Sequence, residues 1–249
     1  MIASVDLIPT LIGVGILLAV ATAALLLFRV RGSWAPAAAI ARGVVQLAII
    51  SLILGGIITQ PALIAVALLV MFGVAVSVAT QRIGWSRHGA LVMSTSIAAG
   101  IAVAGTAVFG SGALAPTPRY ALAIGAIIIG NTMNIATLTG RLFRRTVIDH
   151  WDEVEGWLAL GATPRRSTLD LARGAVREAL IPSIDQTKTT GLVVLPGAFV
   201  GAIFGGLSPL EAGRFQIIVL AAIMAAGAVT AVLVATWLGP MRTKPVIAV

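Results

Sequence analysis

Two amides and a hydroxyl recur at every third position of one apolar stretch: Asn131, Asn134 and Thr137 in GNTMNIATLTG, with Met133 beside them. Residues three apart on a helix share a face. Amides inside a bilayer are costly, so this set either hydrogen-bonds across helices or lines a wet cavity that a solute could cross. Met133 alone reads as packing before it reads as a metal ligand. Arg42 and Gln46, one helical turn apart in ARGVVQLAII, pose the same question. An arginine inside a span costs roughly 2.5–3.5 kcal/mol on insertion scales, so it snorkels, pairs or faces a cavity. Glu178, near the membrane edge in REALIP, is either part of such a path or a solvated helix charge.

Covalent catalysis finds no foothold. The chain has no cysteine, which removes disulfides, thiolate metal sites and thiol nucleophiles. Its two histidines, His88 and His150, stand far apart, and no HExxH pair or nucleophile triad is present. No GxxxxGK[ST] phosphate loop occurs, so ATP hydrolysis is not expected of this chain. It reads as a non-enzyme with no catalytic residue, and any metal site is left open.

The elements that must position these residues are membrane helices. The chain of 249 residues is 59% hydrophobic and 10% charged, with a mean hydropathy of +1.05, where soluble domains carry roughly 25% charge. Apolar runs of about 20 residues can cross a bilayer. Seven are expected, at 7–28, 36–58, 62–80, 90–110, 120–140, 190–207 and 214–238. They make 1–249 one all-α, polytopic transmembrane domain with no room for a separate soluble one. The first run does not read as a cleavable signal, because no base precedes it and its apolar part is too long.

Charge sets the orientation. With the N-terminus outside, the inner loops receive Arg29 and Arg31, then Arg82 and Arg87, then the bases of a large loop, and finally Arg242 and Lys244. Only Arg119 and Arg214 fall outside, so the positive-inside rule gives N-out, C-in. The formal charge of +8 then reflects loops facing an anionic leaflet rather than nucleic acid.

That large loop, residues 141–188, holds 15 of the 26 charged residues. It reads as a cytoplasmic helical hairpin at the inner surface, too charged to be buried in lipid. Asp149 is the expected N-cap of its first helix, with Asp152 three residues on. Trp151, Val154, Leu158 and Gly161 follow at helical spacing, and Gly161 with Pro164 stops the helix. Thr163 caps the second, with Pro164 at its first position and Leu169, Ala172, Val176 and Ala179 as its stripe. Pro182 is expected to end it.

The spacing of Glu155 and Gly161 in EGWLALGA resembles the cytoplasmic loop by which ABC-transporter permeases engage their ATPase. Trp151, Trp157, Leu158 and Ala162 complete that candidate coupling surface. The competing reading is an interfacial helix lying on lipid headgroups. In the sixth run Gly197, Gly201 and Gly205 form a small-residue stripe behind Pro196. Such a stripe serves tight packing, or a dimer or gating contact.

In combination, ARGVVQL (41–47), GNTMN (130–134), EVEGWLALGA (153–162), the long block REALIPSIDQTKTTGLVVLPGAFVGAIFGGLSP (177–209) and GRFQIIV (213–219) resemble the FetB-type family of ABC-transporter permeases. That family includes bacterial iron exporters and plant aluminium-tolerance permeases. The resemblance implies a homodimer in a bacterial-type inner or plasma membrane, paired with a separate ATP-binding subunit. MgATP would sit in that partner and no cofactor on this chain. It further implies metal export, chiefly of iron, with a nucleotide sugar as the alternative cargo. Two positions depart from the expected pattern: Gly156, where coupling motifs favour alanine, and Ala198, where a methionine often stands. The rivals from other classes are an ATP-independent secondary transporter or channel, and a scaffold that only recruits a partner. The seven runs contain no Asp or Glu to couple protons, which counts against the secondary transporter.

Overall fold

The computed structural model describes residues 7–57 and 60–245, with side chains described for 8–51 and 60–245. Ile58 and Thr59, the end of the second expected run and the start of the turn after it, lie outside the described residues. The chain divides into two compact units, Met1–Ile58 and Thr59–Val249.

The first unit contains α1 (Leu7–Leu27) and α2 (Ala35–Ile57), which pack on each other. α1 ends in a Schellman motif. Val30 N–H donates to the Leu25 carbonyl at 2.9 Å and Arg29 N–H to Leu26 at 3.0 Å. Arg29 holds the left-handed position at φ 55°, unusual for a residue other than glycine. The described side chains of both helices, 8–27 and 35–51, are mainly apolar and exposed, as lipid contact requires.

The second unit contains α3 (Pro61–Ile83), α4 (Arg87–Gly110), α5 (Pro118–Asp149), α6 (Trp151–Ala159), α7 (Pro164–Ser167), α8 (Leu169–Thr189), α9 (Gly197–Phe204) and α10 (Pro209–Leu238). Two cores are stacked along it. One joins Ile83, Met93, Phe143, Val147, Ala172, Ala175 and Leu238. The other joins Val108, Leu114, Ile124, Ile128 and Val219. The 83–87 turn, the end of α5, the start of α8 and the end of α10 therefore lie together at one end of the unit. Arg82, Arg87, Arg144, Arg145, Arg165, Arg166 and Arg242 belong to these segments, and we call this the basic end.

Close backbone approach fixes α4 against α10. A Cβ at Gly100 would stand 2.6 Å from the Ala226 carbonyl oxygen, and the Thr230 hydroxyl donates to the Ser96 carbonyl at 3.2 Å. At the basic end the Arg144 guanidinium donates to the Ile83 carbonyl, a free acceptor at the last turn of α3.

The structure is the expected all-α polytopic membrane bundle. α1, α3, α4, α5 and α10 are long and apolar enough to cross a bilayer, and α2 is a further apolar helix of 23 residues. Four expectations need correction. The run 190–207 is not one spanning helix: it is a turn followed by α9, whose eight residues cover only about 12 Å. Pro182 does not end its helix but lies inside α8, because the packed neighbours α5 and α10 hold the helix together. Asp149 is not an N-cap: α5 runs through it, and Asp149 instead faces Arg145 at 3.8 Å. Nor is the whole charged segment a surface hairpin.

That last point follows from α8. Its first residues lie beside Gly239, and Leu180 lies 3.7 Å from where a Cβ at Gly227 would be. α8 thus runs antiparallel to α10 for about 18 Å, and its 21 residues extend well beyond. This polar helix, which is not apolar enough to count as a membrane span, packs along the span α10. It carries Glu178 and Asp185, both exposed, on a helix packed against α5 and α10.

Candidate functional site: a hairpin knob and a polar helix face

At 32 residues, α5 is roughly 48 Å long, and its last turns project past the depth of the bilayer core. α6 follows after His150, which makes no side-chain cap. Val154 is fully buried, and Trp151 packs against the core of the basic end, so one edge of α6 is seated. The opposite edge is solvent-facing: Glu155 and Trp157 are exposed, and Leu160 is 83% exposed.

The tip is rigid. Gly161 takes φ +87°, its N–H donates to Leu158, and the Ala162 N–H donates to Trp157, each at 3.0 Å. This pair of bonds is a second Schellman motif, which satisfies carbonyls that the helix end would otherwise leave free. Thr163 then accepts a hydrogen bond from the Arg166 N–H at 3.3 Å, with Pro164 opening α7, as the sequence led us to expect. After one break at the buried Thr168, α8 begins. The knob is therefore a stiff connection between the end of α5 and the start of α8.

Of the six expected coupling residues, Glu155, Trp157 and Gly161 are exposed, Leu158 and Ala162 half-buried, and Trp151 serves as an anchor. Leu160 is the exposed apolar residue that sequence reasoning passed over. Its place just before the glycine stop, off the Trp151–Val154–Leu158 face, was the available signal.

The polar face of α8 is the second feature. Ala172, Ala175 and Ala179 are buried, while Arg173, Arg177, Glu178, Asp185 and Lys188 point away from the bundle. Lys188 pairs with Asp185 at 3.2 Å and Arg173 with Asp170 at 3.0 Å. Pro182 has no N–H, so the Glu178 carbonyl lacks its usual helical donor and is left as an extra acceptor beside the Glu178 carboxylate.

On α5, Asn134 is exposed, but its expected companions differ. Asn131 is half-buried and donates to its own helix at Ile127 at 2.8 Å, while Thr137 is buried and donates to Met133 at 2.8 Å. A step of three residues drifts by about 60° on a 3.6-residue helix, which carries Thr137 off the face of Asn131. Neither is glue between helices. Met133 packs against the core of the basic end. Ile135 and Leu180 both meet at Gly227, so Asn134 and Glu178 lie within about one helical turn of the same depth.

Arg42 and Gln46 are exposed on α2 within the first unit. Gly197 and Gly201 on α9 face open space, and an added Cβ would touch nothing in the protomer, whereas Gly205 caps that helix and Pro196 precedes it. Among the described residues no group of three or more His, Asp or Glu is placed to hold a metal ion.

Fold and site together define a polytopic α-helical membrane protein whose basic end carries a rigid, exposed hairpin. More specifically, a family model matches residues 8–241, and the chain belongs to the Uncharacterised protein family UPF0014. It is 39% identical over 197 residues to the UPF0014 membrane protein STAR2 of Oryza sativa subsp. japonica, covering 78% of this chain and 69% of that one. It is 36% identical to Protein ALUMINUM SENSITIVE 3 of Arabidopsis thaliana, covering 78% and 71%. Against the Probable iron export permease protein FetB of Escherichia coli (strain K12) the identity is 38%, over 44% of this chain and 42% of that one. No solved structure matches.

Proposed function

We propose that this chain is the membrane-spanning permease subunit of an ATP-binding-cassette exporter, acting as a homodimer with a separate ATPase subunit that binds MgATP. The observation that carries the proposal is the hairpin knob: Trp157, Leu160 and Glu155 are exposed on a tip that is locked by Gly161 and joined to both α5 and α8. An ATPase that grips this tip moves two membrane helices at once. The name of the bacterial relative, an iron export permease, supports export and iron as first cargo.

Cargo would pass along the polar face of α8, with Glu178 and its freed carbonyl at the depth of Asn134. A second copy of the chain, or a wet cavity, covers charges that lipid cannot accept. The exposed glycines of α9 offer that copy a close approach. A second reading of the cargo, an anionic solute such as a nucleotide sugar, is favoured by Arg173 and Arg177 on the same face.

The test is a tagged pull-down from native membranes, followed by ATP-dependent transport in vesicles reconstituted with whatever ATPase co-purifies. Recovery of an ATP-binding-cassette subunit, with ATP-driven movement of iron, supports the first reading. Movement of a nucleotide sugar instead supports the second. Reproducible absence of an ATPase, with the chain intact, rejects the ABC assignment.

A further inference from the structure

Between α8 and α10, at the basic end, lies a cleft of about 290 Å³. Two walls meet there. One is apolar, made by Leu169 and Val176 of α8 with Val232 and Ala235 of α10; the other is cationic, made by Arg165 and Arg173, both exposed. Thr236 also lines the cleft, and no hydrogen bond engages its hydroxyl among the described residues. Arg166 and Arg242 are exposed nearby in sequence; Arg173 is paired with Asp170 at 3.0 Å, so Arg165 is the lining cation without an ion pair among the described residues.

The depth of the cleft follows from its neighbours. Trp85, 69% exposed, and Trp237, 42% exposed, stand at this end of the unit, and exposed tryptophans mark the headgroup boundary. From Leu169 to Val176 the trough runs about 10 Å along α8, away from the basic end and toward the bilayer centre. Arg165 at the headgroup end, with Arg173 about one turn deeper than Leu169 beside the apolar wall, is complementary to one kind of molecule, an anionic amphiphile. A water-borne anion would find no use for the trough. A neutral lipid would find none for the arginines.

We propose that this cleft is a binding site for an anionic phospholipid of the leaflet facing the basic end. The headgroup phosphate sits on Arg165 and Arg173, the Thr236 hydroxyl serves an ester oxygen, and the upper part of one acyl chain lies between Val176 and Val232. The site requires neither an ATPase nor a cargo, although it shares Arg173 with the anionic-cargo reading above. Its position places a lipid in the seam between α8 and α10, beside the break at Thr168.

The test uses the full chain purified in detergent and native mass spectrometry with added lipid. Dioleoyl phosphatidylglycerol should be retained roughly fivefold more strongly than dioleoyl phosphatidylcholine, the preference one unpaired arginine at the membrane surface supplies. The Arg165→Gln/Arg173→Gln variant should lose that preference with unchanged melting, since both side chains are exposed. Val232→Trp, which fills the trough from an exposed position, should lower retention of both lipids. Equal retention of the two lipids by the parent chain overturns the proposal, as does full preference in the double variant. Competition by inorganic phosphate or by dihexanoyl phosphatidylglycerol at equal strength overturns it too, because the trough would then play no part.

Discussion

The Thr168 hydroxyl donates to the Gly239 carbonyl oxygen at 2.7 Å, across 71 positions of sequence, and ties the start of α8 to the end of α10. Thr168 is fully buried. Replacing it with valine keeps the shape and leaves the Gly239 carbonyl with the Met241 N–H, at 2.7 Å, as its remaining donor. Thr168→Val should cost about 0.5–1.5 kcal/mol of stability, the worth of one hydrogen bond. Thermal unfolding in detergent measures this, and hydrogen exchange at the Gly239 and Met241 amides should rise with it.

The crossing of α4 and α10 makes a sharper stability prediction. Gly100→Leu forces a side chain into the Ala226 backbone and should destabilise by roughly 1–3 kcal/mol or more. Gly105 lies on the same helix with nothing within 4 Å, so Gly105→Ala should leave the melting temperature almost unchanged. Equal shifts for the two would show that the two helices are not in close backbone contact.

For the knob, anchor and contact surface should separate. Trp157→Ala removes an exposed aromatic and should weaken recovery of the ATPase subunit near thirtyfold, the size of an interface hot spot at about 2 kcal/mol. Glu155→Lys should act in the same direction. Melting of both variants should match the parent, because neither side chain is buried. Val154→Ala should do the opposite and lower melting first.

Gly201→Leu tests the second copy. Nothing within 4 Å of an added Cβ resists the change inside one protomer, so folding of the isolated chain should be unaffected. Loss of interchain crosslinking and of transport would place a partner against α9. Parent-like crosslinking would return the glycines to the lipid.

Much of this was legible in the sequence because it is written in local chemistry. Gly161, Thr163 and Pro164 marked the stop, cap and restart of the hairpin, and the stripe through Ala172 and Ala179 is the buried face of α8. What escaped depends on tertiary packing. Hydropathy finds helices that face lipid, and α8 is too polar to register although it packs along α10. The apolar run after it is long enough to span by composition but is broken by the turn before α9. Pro182 was misread for the same reason: the rule that proline ends helices holds for isolated ones, and here α5 and α10 supply the support. Leu160 is a different case: helical spacing sets it opposite the Trp151–Val154–Leu158 face, so its exposure was legible and passed over.

The proline in α8 has a mechanical meaning beyond its freed carbonyl. On the proposed function it separates a lower arm, which the knob would move, from an upper arm that leads into the turn before α9. A jointed arm can swing below while its upper part stays still. For a carrier this is the difference between a lock and a hole: the two seals need never be open at the same moment, so ions do not leak while cargo moves.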